Sequence, residues 1–314
     1  MLTPFFSNTL LLMPDTGDNE GHMLNKLLIT GIVFCFALVS TPAIGAPFEN
    51  ERLIIRDIRG DISPEMFEKL VSKTDSTLTK ILQFWSTDPR IKQLGKIIVE
   101  FDHSDPKANY SFFFFRQEKG QKVRIVGVFG GGEDPHHLAH KLTSAVFPNS
   151  DKLIRNMMGE ASEIRFGNPL SFPMCGFDKD CWVIALSQAA SYIPLAKIGS
   201  EHSDWGMEIQ NNLPKVKDRV KQHTSYLEAG SFGEFLINTY GIEKMKQFNQ
   251  LSVNKPRPWK EVFGVALEQL EAKWLEGVRS RTQGKEETIS TLLKLLKDNP
   301  NTACTSAQDL AKKQ

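Results

Sequence analysis

Apolar residues crowd positions 52–58 (Arg-Leu-Ile-Ile-Arg-Asp-Ile), and this run predicts a strand. Ser63-Pro64-Glu65-Met66 then opens a helix. The serine can cap, the proline suits the first turn, and the acid suits its positive end. Met66, Phe67, Leu70, Val71, Leu78, Ile81, Leu82 and Trp85 keep helical spacing, so one face should be buried. Residues 96–101 and 110–115 are strand-like, and 122–129 alternates with many β-branched residues. Four consecutive phenylalanines, Phe112 to Phe115, suit a strand covered on both faces.

Beyond residue 133 the pattern turns mainly helical, with predicted helices at 135–146, 153–165, 181–193, 213–227, 231–240, 243–250, 259–276 and 284–297. Pro148, Pro169, Pro173, Pro256 and Pro258 fall in the intervening loops. After Asp298 the tail is polar and is expected to be disordered. These elements predict an α+β fold: a small N-terminal sheet with a packed helix over 46–132, a helical part over 133–280, and a C-terminal helix and tail over 281–314.

The first 45 residues read as a targeting region. From Met23, Lys26 precedes an apolar run over 27–39 and then small residues, with Ala43 and Gly45 placing cleavage after Gly45. The run is shorter than the roughly 20 residues of a spanning helix. Residues 1–22 carry Asp15, Asp18 and Glu20 and resemble no leader, so translation is expected to begin at Met23. The expectation is an exported protein, periplasmic or extracellular, with no membrane span once the signal is removed. A net charge of +1 gives no reason to propose nucleic acid as a partner. Export makes disulfides possible, and Cys175 and Cys181 could close a small loop. Two free thiols, or a metal pair, are the alternatives, and Cys304 is left odd in the tail.

The chemistry concentrates in His136-His137-Leu138-Ala139-His140. Histidines four apart share a helix face, and this spacing holds zinc in HExxH hydrolases. His137 stands where such sites carry their glutamate base. Glu160, on the next predicted helix, could complete a set of His136, His140 and Glu160 around Zn2+, with Glu163 one turn further on the same face. His137 would then be the candidate catalytic base. Loss of a general base typically removes about 10²–10⁴-fold of rate, which argues against efficient hydrolysis. A partly exposed histidine face without metal is the plainer alternative. The preceding Gly130-Gly131-Gly132 is not a phosphate loop, because the Lys-Ser/Thr is absent and Glu133-Asp134 would repel phosphate.

Several segments together resemble the gluzincin-like "peptidase MA" metallopeptidase domains of exported bacterial proteins. His136 to Thr143 resembles HE-x-x-H-x-L-T with its glutamate replaced, and Gly159-Glu160-Ala161-Ser162-Glu163 resembles the E-G-L-A ligand segment. Glu228-Ala229-Gly230-Ser231-Phe232, Phe235-Leu236 and Tyr240-Gly241-Ile242-Glu243-Lys244 resemble a following helix pair. Phe263-Gly264 to Trp274 resembles the closing helix. In a second register, Trp182 to Tyr192 resembles the family's W…E-G-L-A-S-Y helix and puts Ser187 in the ligand slot.

The resemblance implies a weak or inactive metallopeptidase homologue that retains a capacity for zinc, and a zinc-dependent peptidase if active. A non-catalytic module binding a peptide or envelope protein without metal is the alternative, and a metal-free structural role is a third. Asp102, His103 and Asp105 read as a solvated loop, and Ser231 as a helix cap. The turn-rich segment 168–177 could wall a cleft beside the metal.

Overall fold

Five strands assemble into one sheet in the computed structural model, which describes residues 46–86, 95–105, 108–130, 132–210 and 213–313. The targeting region therefore lies outside the described residues. The strands are β1 (Phe48–Glu49), β2 (Leu53–Asp57), β3 (Ile97–Asp102), β4 (Tyr110–Glu118) and β5 (Gln121–Phe129), in the order β1-β2-β3-β5-β4. β2, β3 and β5 are parallel, and the outer two pairings are antiparallel. Parallel neighbours need a crossover, and α1 (Pro64–Phe84) lies on the one between β2 and β3. Ser63 caps α1 as expected, accepting from the Met66 amide at 3.3 Å.

One face of the sheet supplies Leu53, Ile55, Ile97, Val99, Phe101, Val126 and Val128 to the core, against Leu70, Leu78, Ile81 and Leu82 of α1. The phenylalanine run does not sit inside the sheet. β4 is an edge strand, with Phe114 38% and Phe115 42% exposed. Alternation sends consecutive aromatics to opposite faces, and Phe113 packs against the core while Phe112 joins Tyr110 and Phe129 in an aromatic row on the other face. The β4–β5 hairpin turns on Lys119 and Gly120, both at positive φ, as a two-residue turn of matching twist requires.

The outer face carries a charge lattice. Arg56 reaches Glu118 at 3.0 Å and Glu100 at 3.3 Å, and Arg116 reaches Glu100 at 2.9 Å and also binds Glu118. The Arg56 hydrogen bond, helped by Arg116 and opposed by partial burial, holds the Glu118 carboxyl down at about 2. Its folded value lies below its unfolded one, so its contribution is present above the ordinary carboxylate range and is lost as pH falls toward about 2. An NMR pH titration should find Glu118 ionised throughout the range where other glutamates protonate. A midpoint near 4 would show that the lattice does not form.

The remainder is helical: α2 (Leu138–Val146), α3 (Lys152–Phe166), α4 (Lys179–Gln188), α5 (Arg219–Tyr240), α6 (Ile242–Leu251), α7 (Trp259–Phe263), α8 (Leu267–Arg281), α9 (Glu286–Asp298) and α10 (Ala303–Ala311). A hairpin of β6 (Met207–Gln210) and β7 (Leu213–Val216) precedes α5. No helix among the described residues is long and apolar enough to cross a membrane.

Several expectations are corrected. Helices expected at 213–227 and 231–240 are one helix, α5, begun by a cap in which Asp218 accepts from the Lys221 amide at 2.9 Å. α5 is buried almost all round from His223 to Ile237, so packing and not amphipathic pattern sustains it. Ser231 therefore caps nothing. It lies buried inside α5, donating to Asp180 at 2.7 Å and accepting from the Trp274 indole at 2.9 Å. The helix expected at 259–276 breaks at Gly264, whose φ is 80°. The tail is ordered as α10, with Ala303 and Ala307 buried in a second apolar cluster. The disulfide joins Cys175 to Cys304 across 129 residues, and Cys181 is a free, buried thiol. All the tryptophans are buried: Trp85, Trp182, Trp205, Trp259 and Trp274.

Candidate metal centre

The histidine segment does not form one continuous helix. Pro135 and His136 precede α2, and His137 takes a left-handed conformation (φ 52°, ψ 33°) at its N-cap. Four-apart spacing puts side chains on one face only when both residues are helical. His136 therefore does not share a helix face with His140. The three rings instead stack in sequence, His136 on His137 at 4.1 Å and His137 on His140 at 5.5 Å between centroids. The expected trio of His136, His140 and Glu160 thus changes by one member. The donor atoms that come within 4.8 Å of one another belong to His137, His140 and Glu160. His137, expected as a base, takes the place expected of His136 among the metal ligands, while half-buried His136 ends the stack.

α3 builds most of the surroundings. Asn156, Glu160 and Glu163 fall four and three apart on the face turned toward α2. His140 Nδ1 meets Glu160 Oε1 at 2.8 Å, and His140 Nε2 meets Asn156 Oδ1 at 3.1 Å. The His140 amide donates to Glu163 Oε2 at 3.0 Å. Glu163 thereby caps α2 from outside, supplying what the His137 side chain does not. Gly159 makes the approach possible: a Cβ there would lie 2.5 Å from the His140 ring. On the adjoining face of α3, Cβ atoms at Gly230 and Gly233 of α5 would come within 3.0 Å of Glu160 Cβ and 2.7 Å of the Met157 carbonyl oxygen. Three glycines inside helices thus let α2, α3 and α5 close around one point.

His140 and Glu160 are fully buried and His137 is 4% exposed. Burial pushes the Glu160 carboxyl well up and holds His140 and His137 well down. Burial also raises Glu163, against the His140 amide, to about 7. The hydrogen bonds agree with neutral partners. Asn156 Oδ1 can only accept, so the His140 proton sits on Nε2 and Nδ1 accepts from a protonated Glu160. Glu160 Oε2 is left buried without a partner, which is costly unless something meets it.

The fit to a cation is direct in chemistry and approximate in position. Two imidazoles and a carboxylate are zinc's usual donors. Tetrahedral donors at about 2.0–2.1 Å from zinc stand roughly 3.3 Å apart, and the present donors, all within 4.8 Å of one another, reach that spacing by side-chain rotation. His137 is the ligand that must turn, because its Nε2 faces the Phe172 carbonyl oxygen.

The 168–177 loop covers the histidines through Phe172, and its first residues, Asn168 and Pro169, wall a cleft beside Glu163. The Phe172 ring packs on His137 (5.8 Å), Tyr226 (5.6 Å) and His223 (5.4 Å). That cleft, of about 230 Å³, is lined by Glu163 together with Lys73, Thr77, Asp134 and Leu138. Ser187 is exposed near the end of α4, so the register that placed it in the ligand slot finds no partner here. Asp102 is consumed locally, accepting from the Ser104 amide at 3.0 Å and pairing with Arg59 at 3.5 Å, while the His103 ring stands edge-on to Phe101. Sequence reasoning missed Asn156 and the capping role of Glu163. The signal was present, since Asn156, Glu160 and Glu163 recur on one face of the helix among Met157, Met158 and Ala161.

Compared with known proteins, the chain matches no family model, no curated protein and no solved structure. What stands on its own geometry is an α+β protein with a buried His137, His140, Glu160 cluster that could hold a metal ion.

Proposed function

We propose that the chain is an exported, zincin-like protein that binds one zinc ion through His137, His140 and Glu160 and does not hydrolyse peptides. The observation that carries this reading is the partnerless, fully buried Glu160 Oε2 beside two histidines. Zinc, when bound, would supply a strong cross-link between α2 and α3 and a Lewis acid at their junction. Two further features support a non-hydrolytic protein. The position of the usual glutamate base is His137, itself drawn into the ligand set. The covering loop also stands where a peptide would need to approach. Export is supported by the leader-like segment and by the Cys175–Cys304 bridge, since disulfides persist in oxidising compartments.

A second reading, a metal-free module that recognises a peptide or envelope protein, is favoured by one observation. Both ring nitrogens of His140 already have partners. Metal analysis of protein purified without a histidine tag separates the two. The expected result is one zinc per chain with no cleavage of unstructured peptides, and His137→Glu is expected to leave that inactivity unchanged. Absence of stoichiometric zinc after equilibration with the metal would remove the first reading. Peptide cleavage by the native chain would remove its non-hydrolytic part.

A further inference from the structure

The loop that covers the cluster is not held by packing alone. Cys175, three residues beyond Phe172, is bridged to Cys304 in α10. Gln308, one turn further along α10, donates to the Leu170 carbonyl at 2.7 Å. On its other side the loop meets Trp182, whose indole donates to the Met174 carbonyl at 2.8 Å, and His223, which bonds the Pro173 carbonyl at 2.8 Å. One covalent bond therefore joins the cover of the histidine cluster to the C-terminal helix, and few other bonds do.

We propose that the Cys175–Cys304 disulfide is a redox latch: its reduction by a dithiol frees the 168–177 loop from α10 and opens the His137/His140/Glu160 cluster to solvent. The metal-exchange part of this proposal rests on the zinc reading above; the opening itself does not. The two cysteines differ in exposure. Cys304 is half-buried and Cys175 is fully buried, so an incoming thiolate reaches Cys304. Attack forms a mixed disulfide at Cys304, and the S–S electron pair leaves on Cys175, which takes a proton. His223 Nε2, 3.9 Å from the Cys175 sulfur, faces the departing thiolate. The second thiol of the reductant then displaces Cys304, which leaves as a thiol. The dithiol is oxidised to its disulfide, and its two electrons and two protons end on the two cysteines. The reductant is a dithiol from outside: among the described residues the free thiol is Cys181, which is single and buried, and burial pushes its ionisation up to about 11.

The test uses the full chain in three forms: oxidised, reduced with dithiothreitol, and the C175A/C304A double variant. Hydrogen exchange is followed by region. Carbethoxylation of His137 and His140 by diethyl pyrocarbonate is followed by peptide mapping in the presence of chelator. Breaking the bridge is expected to raise exchange in 168–177 and 303–311, and histidine modification, by at least about tenfold, while α2, α3 and α5 stay protected. Unchanged exchange and modification would overturn the latch. So would loss of protection throughout the chain, because the bridge would then be a staple of the whole fold. Zinc release to chelator is compared between the oxidised chain and the double variant, which avoids metal capture by the dithiol. Faster release in the variant supports the latch as a gate on the metal. Histidines that become reactive in a chain holding no zinc in any form leave the latch standing and remove the metal reading. Zinc held equally in both forms, with no change in exchange, does the reverse.

Discussion

Gly233→Ala should destabilise the protein by about 1–3 kcal/mol, the usual range for forcing atoms into a packed interior. The new methyl would lie 2.7 Å from the Met157 carbonyl oxygen, which is backbone of α3 and cannot turn aside. Alanine's helix propensity returns about 1 kcal/mol, too little to offset the clash. Gly159→Ala should cost a similar amount for a different reason, because it drives the His140 ring away from Glu160 and Asn156. Gly277→Ala is the control. Its methyl meets only Arg281 Nη1, at the end of a side chain that can shift while its Nε keeps Asp180, so any loss should be smaller than at the other two positions. Denaturant melts of the three variants decide the matter, and equal effects at all three positions would contradict the packing described here.

Glu160→Gln should separate metal binding from folding. The amide keeps the shape and can still donate to His140 Nδ1, so the metal-free variant should be as stable as the metal-free native chain. It also removes the need to bury a carboxyl whose charged form is strongly disfavoured there. Zinc affinity, by contrast, should fall by more than about 100-fold, since even outer partners of zinc ligands are worth 10–100-fold. Zinc at about 1,000 times its dissociation constant should stabilise the native chain by about 4 kcal/mol and the variant by far less. Thermal melts with zinc and with chelator give all four values. A native melting temperature indifferent to zinc would end the metal assignment.

Much of the framework was legible because local patterns and tertiary packing agree there. The strands at 52–58, 96–101 and 122–129, α1 with its Ser63 cap, and the pairing of His140 with Glu160 all follow from spacing along the chain. The failures lie where distant contacts decide. Proline at 135 suggested a helix start, yet Glu163 caps the helix three residues later and leaves His137 left-handed. Cys181 was the nearer thiol in sequence, but α10 brings Cys304 to Cys175. The polar tail hides Ala303 and Ala307, whose small side chains suffice to seat a helix. Gly230 and Gly233 weaken helix propensity, yet they are what allows α5 to touch α3. The β6–β7 hairpin escaped notice because its strands are only four residues each, one holds a proline, and its apolar Ile209 and Val216 are exposed.

The burial of every indole gives the molecule an internal optical reporter. Trp182 alone among them hydrogen-bonds the covering loop, and its ring stands edge-on to His223, 4.6 Å away. A rearrangement confined to that loop would alter the emission of a single chromophore, whereas global unfolding would shift all of them to the red together. Steady-state fluorescence of the native chain can therefore tell a local event from collapse of the whole architecture, with no label attached.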